Sequence, residues 1–119
     1  MRTHRLEKIE ALLAKISSEI IRELKDPRVG FVSVTKVTVS PDLKHAKIFV
    51  SVMGDEKTQE LCMEGLQSAS GYIRHQLFQK IEIKNIPGLT FYLDKSIQEG
   101  ARLLEIMSRL KKDENVKQS

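Results

Sequence analysis

The side chains best suited to catalysis or metal binding are scattered along this chain of 119 residues. Its three histidines, His4, His45 and His75, lie far apart, and no group of His, Cys and carboxylate residues has the spacing of a metal site. The single cysteine, Cys62, falls on an apolar helical stripe, where a packed thiol is far more common than a nucleophile. A glycine-rich phosphate loop is also missing. The pattern predicts a protein that is not an enzyme and that uses neither a metal nor a cofactor.

Basic side chains that can contact phosphate form a second pattern. The chain carries 20 Lys and Arg residues against 16 Asp and Glu residues, which gives a net charge of +4. Each basic residue alone is explained by solvation at the surface, but together they could form a face that binds a nucleic-acid backbone without reading its sequence. The candidate RNA-binding residues are Arg2, Arg5, Lys8, Arg28, Lys36, Lys44, Lys47, Arg74, His75 and Lys80.

The composition is typical of one small globular domain, with 40% apolar and 30% charged residues. One cysteine excludes an internal disulfide and fits a reducing compartment. The N-terminus lacks the apolar run of a signal peptide, and no stretch is long enough to span a membrane. We therefore expect a cytoplasmic monomer without a membrane partner. Aromatic residues make up only 5% of the chain, so a platform of exposed rings is not expected.

The elements that position these residues begin with an amphipathic helix over residues 3–25. Its apolar residues recur every three or four positions, Thr3 is a candidate N-cap, and an Asp-Pro pair ends it. Two stretches rich in β-branched residues, 31–39 and 45–53, predict strands that pair as an antiparallel hairpin. The apolar alternation of the first strand slips near Thr35, which indicates a β-bulge.

The central feature of the sequence is a helical stretch over residues 61–80 that small residues interrupt. Ala69, Ser70 and Gly71 predict a kink between helices, because glycine weakens a helix and serine competes for its backbone hydrogen bonds. Both halves carry apolar residues at helical spacing, so both are predicted to pack on one core. The first half is acidic and the second is cationic, so we expect function at the second half.

A third strand over residues 89–94 and a final helix from Ser96 complete the pattern. A strand reached through a helical crossover normally lies parallel to its neighbour. The expected fold is α+β, a single domain over residues 1–110 with the order α-β-β-α-kink-α-β-α. Its three-stranded mixed sheet has the helices packed on one face. Residues 111–119 are polar and are expected to form a disordered C-terminal tail.

Three segments resemble the bacterial ribosome-binding factor A family: DPRVGFVSVTKVTVSPDLKHAKIFVSV, LQSASGYIRHQL and IPGLTFYLDKSIQEGARL. The resemblance covers nearly all of residues 1–110 in the same order and spacing. It implies a KH-like domain of the second topological type. KH domains that clamp single-stranded RNA carry a Gly-x-x-Gly loop between the two helices. This chain has the Ala69-Ser70-Gly71 kink of the family instead, which argues against ordinary clamping of nucleotides.

The resemblance also implies a function. The chain would be a non-enzymatic assembly factor that binds the free small ribosomal subunit and its rRNA. It would promote late maturation, including processing of the 5′ end of small-subunit rRNA, with a role in cold adaptation. A ribosome-associated GTPase that acts in release is a further candidate partner.

Two other interpretations remain open. A protein-interaction module would bind independently of salt and of charge changes at Arg28, Arg74 and Lys80. A generic single-stranded RNA binder would bind short oligonucleotides tightly.

Overall fold

The structure, a computed structural model, describes residues 3–118, and the side chains of residues 3–112 apart from Ile97. The described chain forms four helices and three strands: α1 (His4–Arg22), β1 (Val32–Val39), β2 (His45–Val52), α2 (Glu56–Ser68), α3 (Ser70–Lys80), β3 (Gly88–Leu93) and α4 (Ser96–Gln118). β2 lies in the centre of the sheet, antiparallel to β1 and parallel to β3. The predicted α+β class, element order and mixed sheet are confirmed.

Helix α1 lies across β1 and presents an apolar face to it. Thr3 is the N-cap, and its hydroxyl oxygen accepts a hydrogen bond from the backbone N–H of Leu6 at 3.2 Å. The helix ends at Arg22 rather than at the predicted residue 25. The cause is a tighter last turn, in which the N–H of Glu23 bonds to the carbonyl of Ile20 three residues back. The buried apolar side chains of α1 are Leu6, Leu13, Ile20 and Ile21.

A buried carboxylate interrupts this apolar face, and the sequence pattern did not reveal it. Glu10 is only 8% exposed, and its Oε2 accepts a hydrogen bond from the backbone N–H of Val39 at 2.7 Å. Buried Ser17 donates its hydroxyl proton to the carbonyl of Leu13. Because a buried polar group is costly unless it is hydrogen-bonded, Glu10 fixes α1 to the end of β1.

The sheet carries the predicted bulge in β1. The register shifts between Val34 and Lys36, which leaves Thr35 as the extra residue. Because of this extra residue, the valines before and after the bulge all face the helices, although the former have even residue numbers and the latter odd ones. The buried residues of this inner face are Val37, Val39, Ala46, Ile48, Val50, Val52, Leu89 and Phe91.

The predicted break between the central helices is confirmed at Ala69, whose φ of −87° and ψ of 0° leave the helical range. Asp55 caps α2 and accepts a hydrogen bond from the N–H of Thr58 at 2.8 Å. The side chains that both helices bury completely are Cys62, Leu66, Ile73 and Leu77. Not every apolar residue of the two helices packs on the core, since three of them are exposed: Leu61, Tyr72 and Phe78.

Helix α4 differs from the prediction in two ways. It continues to Gln118, whereas the sequence predicted disorder from residue 111. Residues 101–118 contain neither Gly nor Pro, and an Arg109–Glu105 ion pair of 2.8 Å supports the exposed turns. All its described side chains are exposed, including Leu103, Leu104, Ile106, Met107 and Leu110. The helices that cover the inner face of the sheet are therefore α1, α2 and α3.

Candidate nucleic-acid interface

A groove of about 520 Å³ brings together basic residues from four parts of the chain. Its cationic side chains are Arg5 at the start of α1, Lys44 in the β1–β2 turn, Arg74 on α3 and Lys84 in the segment that leads to β3. Asp42 is the only acidic residue among those that line it. We call this surface the cationic groove. Its four positive charges exceed its one negative charge, so it suits a phosphate backbone.

The turn that presents Lys44 is fixed by hydrogen bonds to Asp42. The Ser40 hydroxyl donates to the Asp42 carboxylate at 2.6 Å, and the backbone N–H of Lys44 donates to it at 3.1 Å. The pKa of Asp42 lies below its usual value, first because of the Ser40 hydroxyl and then because of the Lys44 N–H. Leu43 has a φ of 61°, which is rare for a residue with a side chain. The acid of the groove therefore holds the turn in shape.

Arg74 forms part of the groove wall as well as part of its charge. Its Nη2 donates to the carbonyl of Ile86 at 2.8 Å, and its Nε donates to the carbonyls of Ile86 at 3.1 Å and Pro87 at 3.3 Å. These bonds fix the segment before β3 against α3. Among the described residues, Nη1 of Arg74 has no protein partner, so this end of the guanidinium can face a ligand.

A smaller cleft of about 240 Å³ continues the groove along α3. It shares Arg74 and Ile86 with the larger groove and adds His75 and Gly71. The ring of His75 lies 3.2 Å from the side-chain amide of Gln79. The second half of the kinked helix and the end of the kink thus border one continuous surface.

The structure brings together four of the predicted RNA-binding residues: Arg5, Lys44, Arg74 and His75. Lys84 also lines the groove. It was not predicted, because it lies in a short link with no regular sequence pattern. Lys8 and Lys80 are exposed but do not line the groove. Arg2 lies outside the described residues.

Arg28 binds Asp26 instead of lining the groove. Its guanidinium forms an ion pair with Asp26, with a closest distance of 2.7 Å, and the side-chain hydrogen bond raises the pKa of Arg28. Its Cβ lies over Gly65 of α2, where a methyl group added to the glycine would come within 3.2 Å of it. Arg28 therefore covers the acidic half of the kinked helix and does not belong to the cationic groove.

Lys36 and Lys47 lie on the outer face of the sheet, opposite α1, α2 and α3. Their strand partners, Phe49 for Lys36 and Thr90 for Lys47, share that face. The predicted continuous basic face is thus divided between the groove and the outer sheet.

Within residues 3–118, we find no group of three or more His, Cys, Asp and Glu residues that could bind a metal ion. Burial raises the pKa of the Cys62 thiol, which disfavours the reactive thiolate. None of the described helices is both long and apolar enough to cross a membrane.

Comparison with known proteins identifies the family of this chain. The model of the family described as ribosome-binding factor A matches residues 5–107. The ribosome-binding factor A of Halothermothrix orenii is 47% identical over 115 residues, which cover 96% of this chain and 94% of that protein. The protein of the same name from Caldanaerobacter subterraneus subsp. tengcongensis is 44% identical, with 95% and 92% covered.

Solved structures show the same fold. The crystal structure of ribosome-binding factor A from Thermus thermophilus superposes with a TM-score of 0.69 at 25% identity, covering 74% of this chain and 93% of that one. A homology model of the Thermus thermophilus protein, fitted into a cryo-EM map of its 30S complex, has a TM-score of 0.64 at 24% identity, with the same shares covered. The resemblance of the three sequence segments is confirmed, and this chain belongs to the ribosome-binding factor A family.

Proposed function

We propose that this protein is a non-enzymatic assembly factor that binds the free small ribosomal subunit as a cytoplasmic monomer. The observation that carries the proposal is the cationic groove, where Arg5, Lys44, Arg74 and Lys84 surround one acid, Asp42, whose Oδ1 accepts two internal hydrogen bonds. Such a surface binds phosphate groups at defined positions and so recognises the shape of folded rRNA. Family membership, together with a relative fitted into a 30S complex, supports the small subunit as the particle.

The proposed mechanism is selection of one rRNA conformation. A protein without a hydrolytic site shifts an equilibrium only through its different affinities for the two states. Binding in the groove would stabilise an rRNA conformation that belongs to late maturation and would promote processing of the 5′ end. Misfolded RNA conformations persist longer in the cold, so the contribution would be largest at low temperature. Release would follow when maturation, or a ribosome-associated GTPase, removes the bound conformation.

The arrangement around the kink supports a KH-like domain of the second type that binds without a nucleotide clamp. α2 and α3 meet at Ala69, and Gly71 borders the cleft along α3. No Gly-x-x-Gly loop separates the helices. Contacts through side-chain charges would therefore replace the backbone contacts that such a loop makes.

Co-sedimentation with ribosomal particles tests the partner. Purified protein is run with free small subunits, free large subunits and assembled ribosomes over a series of salt concentrations. We expect retention on the free small subunit alone, with an affinity that falls as salt rises, because phosphate contacts release bound counterions. Salt-independent binding would contradict the proposal and favour a protein-interaction module, whereas absence from every particle at low salt would exclude the ribosome as the partner.

The maturation role needs a test in cells. We expect depletion of the protein to cause small-subunit rRNA with an unprocessed 5′ end to accumulate, and to slow growth more at low than at optimal temperature. A processed 5′ end in depleted cells at both temperatures would contradict the maturation role, even if the subunit binding were confirmed.

A further inference from the structure

The outer face of the sheet carries two aromatic rings side by side. Phe49 on β2 and Tyr92 on β3 are register partners, with ring centroids 5.5 Å apart and ring planes inclined by 27°. Tyr92 is 41% exposed, and Phe49 is half-buried. The low aromatic content predicted no ring platform, because the chain has only six aromatic residues, four Phe and two Tyr. The sheet register places two of the six together on an open surface.

A lysine ammonium lies over each of these rings. Nζ of Lys36 is 5.8 Å from the centroid of Phe49, and Nζ of Lys47 is 5.7 Å from the centroid of Tyr92. Both lysines are exposed, and the three strands contain no Asp or Glu at all. The other outward-facing side chains near the rings are the hydroxyl residues Ser33, Thr38, Ser51 and Thr90. The surface thus combines flat apolar rings, cations and hydrogen-bonding groups.

One end of this surface carries a fixed negative charge. The Thr35 hydroxyl at the bulge donates to the carboxylate of Asp94 at 2.6 Å, and the N–H of Ser96 donates to it at 2.9 Å. The hydrogen bond from Thr35, followed by those from Ser96, lowers the pKa of Asp94 to about 2. Asp94 is therefore ionised at neutral pH and repels phosphate, so a bound polyanion would place its phosphates near the two lysines.

We propose that this outer face, defined by Lys36, Lys47, Phe49 and Tyr92, binds a short single-stranded segment of RNA by stacking bases on its two rings. The flexible lysine stems let each ammonium move from a ring to a phosphate, which exposes the ring to a base. The choice of RNA as the ligand rests on the proposed function. The cationic groove binds folded backbone, whereas the outer face takes unpaired bases.

The chemistry of the surface favours RNA over a polypeptide partner. A polypeptide partner would need a wider apolar centre than two rings, surrounded by a polar rim. Paired rings with two cations, and a single acid at one end, match a ligand that alternates flat rings with negative charges. Single strands provide both groups, while the bases of a duplex are already stacked on one another.

The test uses the full-length protein and fluorescein-labelled RNA of eight nucleotides in three forms: a single strand, the same strand in a duplex, and an abasic strand of the same length. Binding is followed by fluorescence anisotropy. We expect the single strand to bind about tenfold more tightly than either control, and Tyr92→Leu to remove most of this difference. Tyr92→Phe keeps the ring and should bind as the unmodified protein does. Tyr72→Leu, which changes an exposed tyrosine on α3, should have no effect.

Ring resonances give an independent readout. We expect the NMR signals of the Phe49 and Tyr92 rings to shift upfield with the single strand and to stay in place with the abasic strand, because a stacked base exerts a ring current. Equal affinity for single strand, duplex and abasic strand would overturn the proposal. Full binding by a folded Tyr92→Leu protein would overturn it as well.

The two proposals fail separately. If the small subunit retains the protein but Tyr92→Leu leaves oligonucleotide binding unchanged, the outer face has no such role and the proposed function stands. If oligonucleotides bind as expected but no ribosomal particle retains the protein, the proposed function is wrong and the base-stacking surface stands.

Discussion

The two helices on either side of the kink contribute equally to the core but expose opposite charges. α2 buries Cys62 and Leu66, and α3 buries Ile73 and Leu77, all of them completely. The remaining surface of α2 carries three glutamates and a single lysine, whereas α3 carries one arginine, one histidine and one lysine without an acid. α2 lies beneath the Arg28–Asp26 ion pair, while α3 forms a wall of the cationic groove.

Under the proposed function, this difference separates the residues that fold the protein from those that bind rRNA. The buried apolar residues of α2 and of α3 have the same structural role, since both pairs belong to one hydrophobic core. Of the residues on these two helices, only Arg74 of α3 lines the cationic groove. Substitutions in the cores of α2 and α3 should therefore have similar effects, and substitutions on their surfaces should not.

The largest effect is expected for the core. Leu66→Ala in α2 and Leu77→Ala in α3 should each lower the free energy of unfolding by about 3 kcal/mol, because both leave a cavity at a fully buried site. Urea denaturation measures both values. Leu61→Ala, at an exposed position of α2, serves as the control and should cost about 0.5 kcal/mol or less. A large loss for only one of the two buried leucines would show that the helices do not share one core.

The two glycines that flank the kink should respond with opposite signs. A Cβ added at Gly65 would lie 2.9 Å from Cγ2 of Val29, so Gly65→Ala should destabilise the protein by about 1 to 3 kcal/mol. Nothing lies within 4 Å of a Cβ added at Gly71, so Gly71→Ala should stabilise it by about 0.5 kcal/mol. Thermal unfolding of the two variants checks the signs. Stabilisation by Gly65→Ala would mean that the loop at Val29 is not packed on α2.

Arg74 should contribute to stability through its shape as well as its charge. Arg74→Lys keeps the positive charge but loses the forked hydrogen bonds to Ile86 and Pro87, and should cost about 1 kcal/mol. Hydrogen exchange at Gly88, whose N–H bonds to the Lys44 carbonyl at 2.9 Å, should become faster as the groove wall loosens. Lys57→Gln on α2 is the control. Unchanged exchange at Gly88 in the Arg74→Lys protein would contradict the structural role.

The smallest effect on stability is expected at the N-terminal cap of α2. Asp55 caps α2, whereas α3 begins at Ala69 without a side-chain cap. The pKa of Asp55 lies below its usual value because of the side-chain and then the backbone hydrogen bond with Thr58. The resulting stability is present above the unfolded-state pKa of about 3.9 and is lost as the pH falls through the lower folded-state pKa. Asp55→Ala should therefore be less stable than the unmodified protein at pH 6, and thermal melts should show this gap closing below about pH 4. A stability difference between the two proteins that stays constant down to pH 2 would show that the charge of Asp55 does not stabilise α2.

Patterns local in sequence predicted most of the fold. The slip of apolar phase gave the bulge at Thr35, and the small residues gave the break at Ala69. Contacts between distant segments were not predictable in this way. The hydrogen bond of Glu10 to Val39 joins residues 29 positions apart, and a glutamate on a helix is normally an exposed residue.

The binding surfaces show the same limit. Basic residues were easy to identify, but their grouping depends on where the segments meet. Arg28 does not line the cationic groove, because it forms an ion pair with Asp26. Lys84 does line it, because Arg74 fixes the segment that contains Lys84 against α3. The Phe49–Tyr92 pair required the parallel register of β2 and β3, which composition alone does not contain.

The central claim is that binding depends on the position of charge at the groove, and one matched pair of variants tests it. Lys44→Glu with Lys84→Glu changes two groove residues, and Lys15→Glu with Lys57→Glu changes exposed lysines on α1 and α2. Each pair lowers the net charge by 4, from +4 to 0. In co-sedimentation with free small subunits, we predict that the groove pair weakens binding on the order of 30-fold and the control pair by about twofold. Equal loss in both proteins would contradict the account, because net charge alone would then explain the binding.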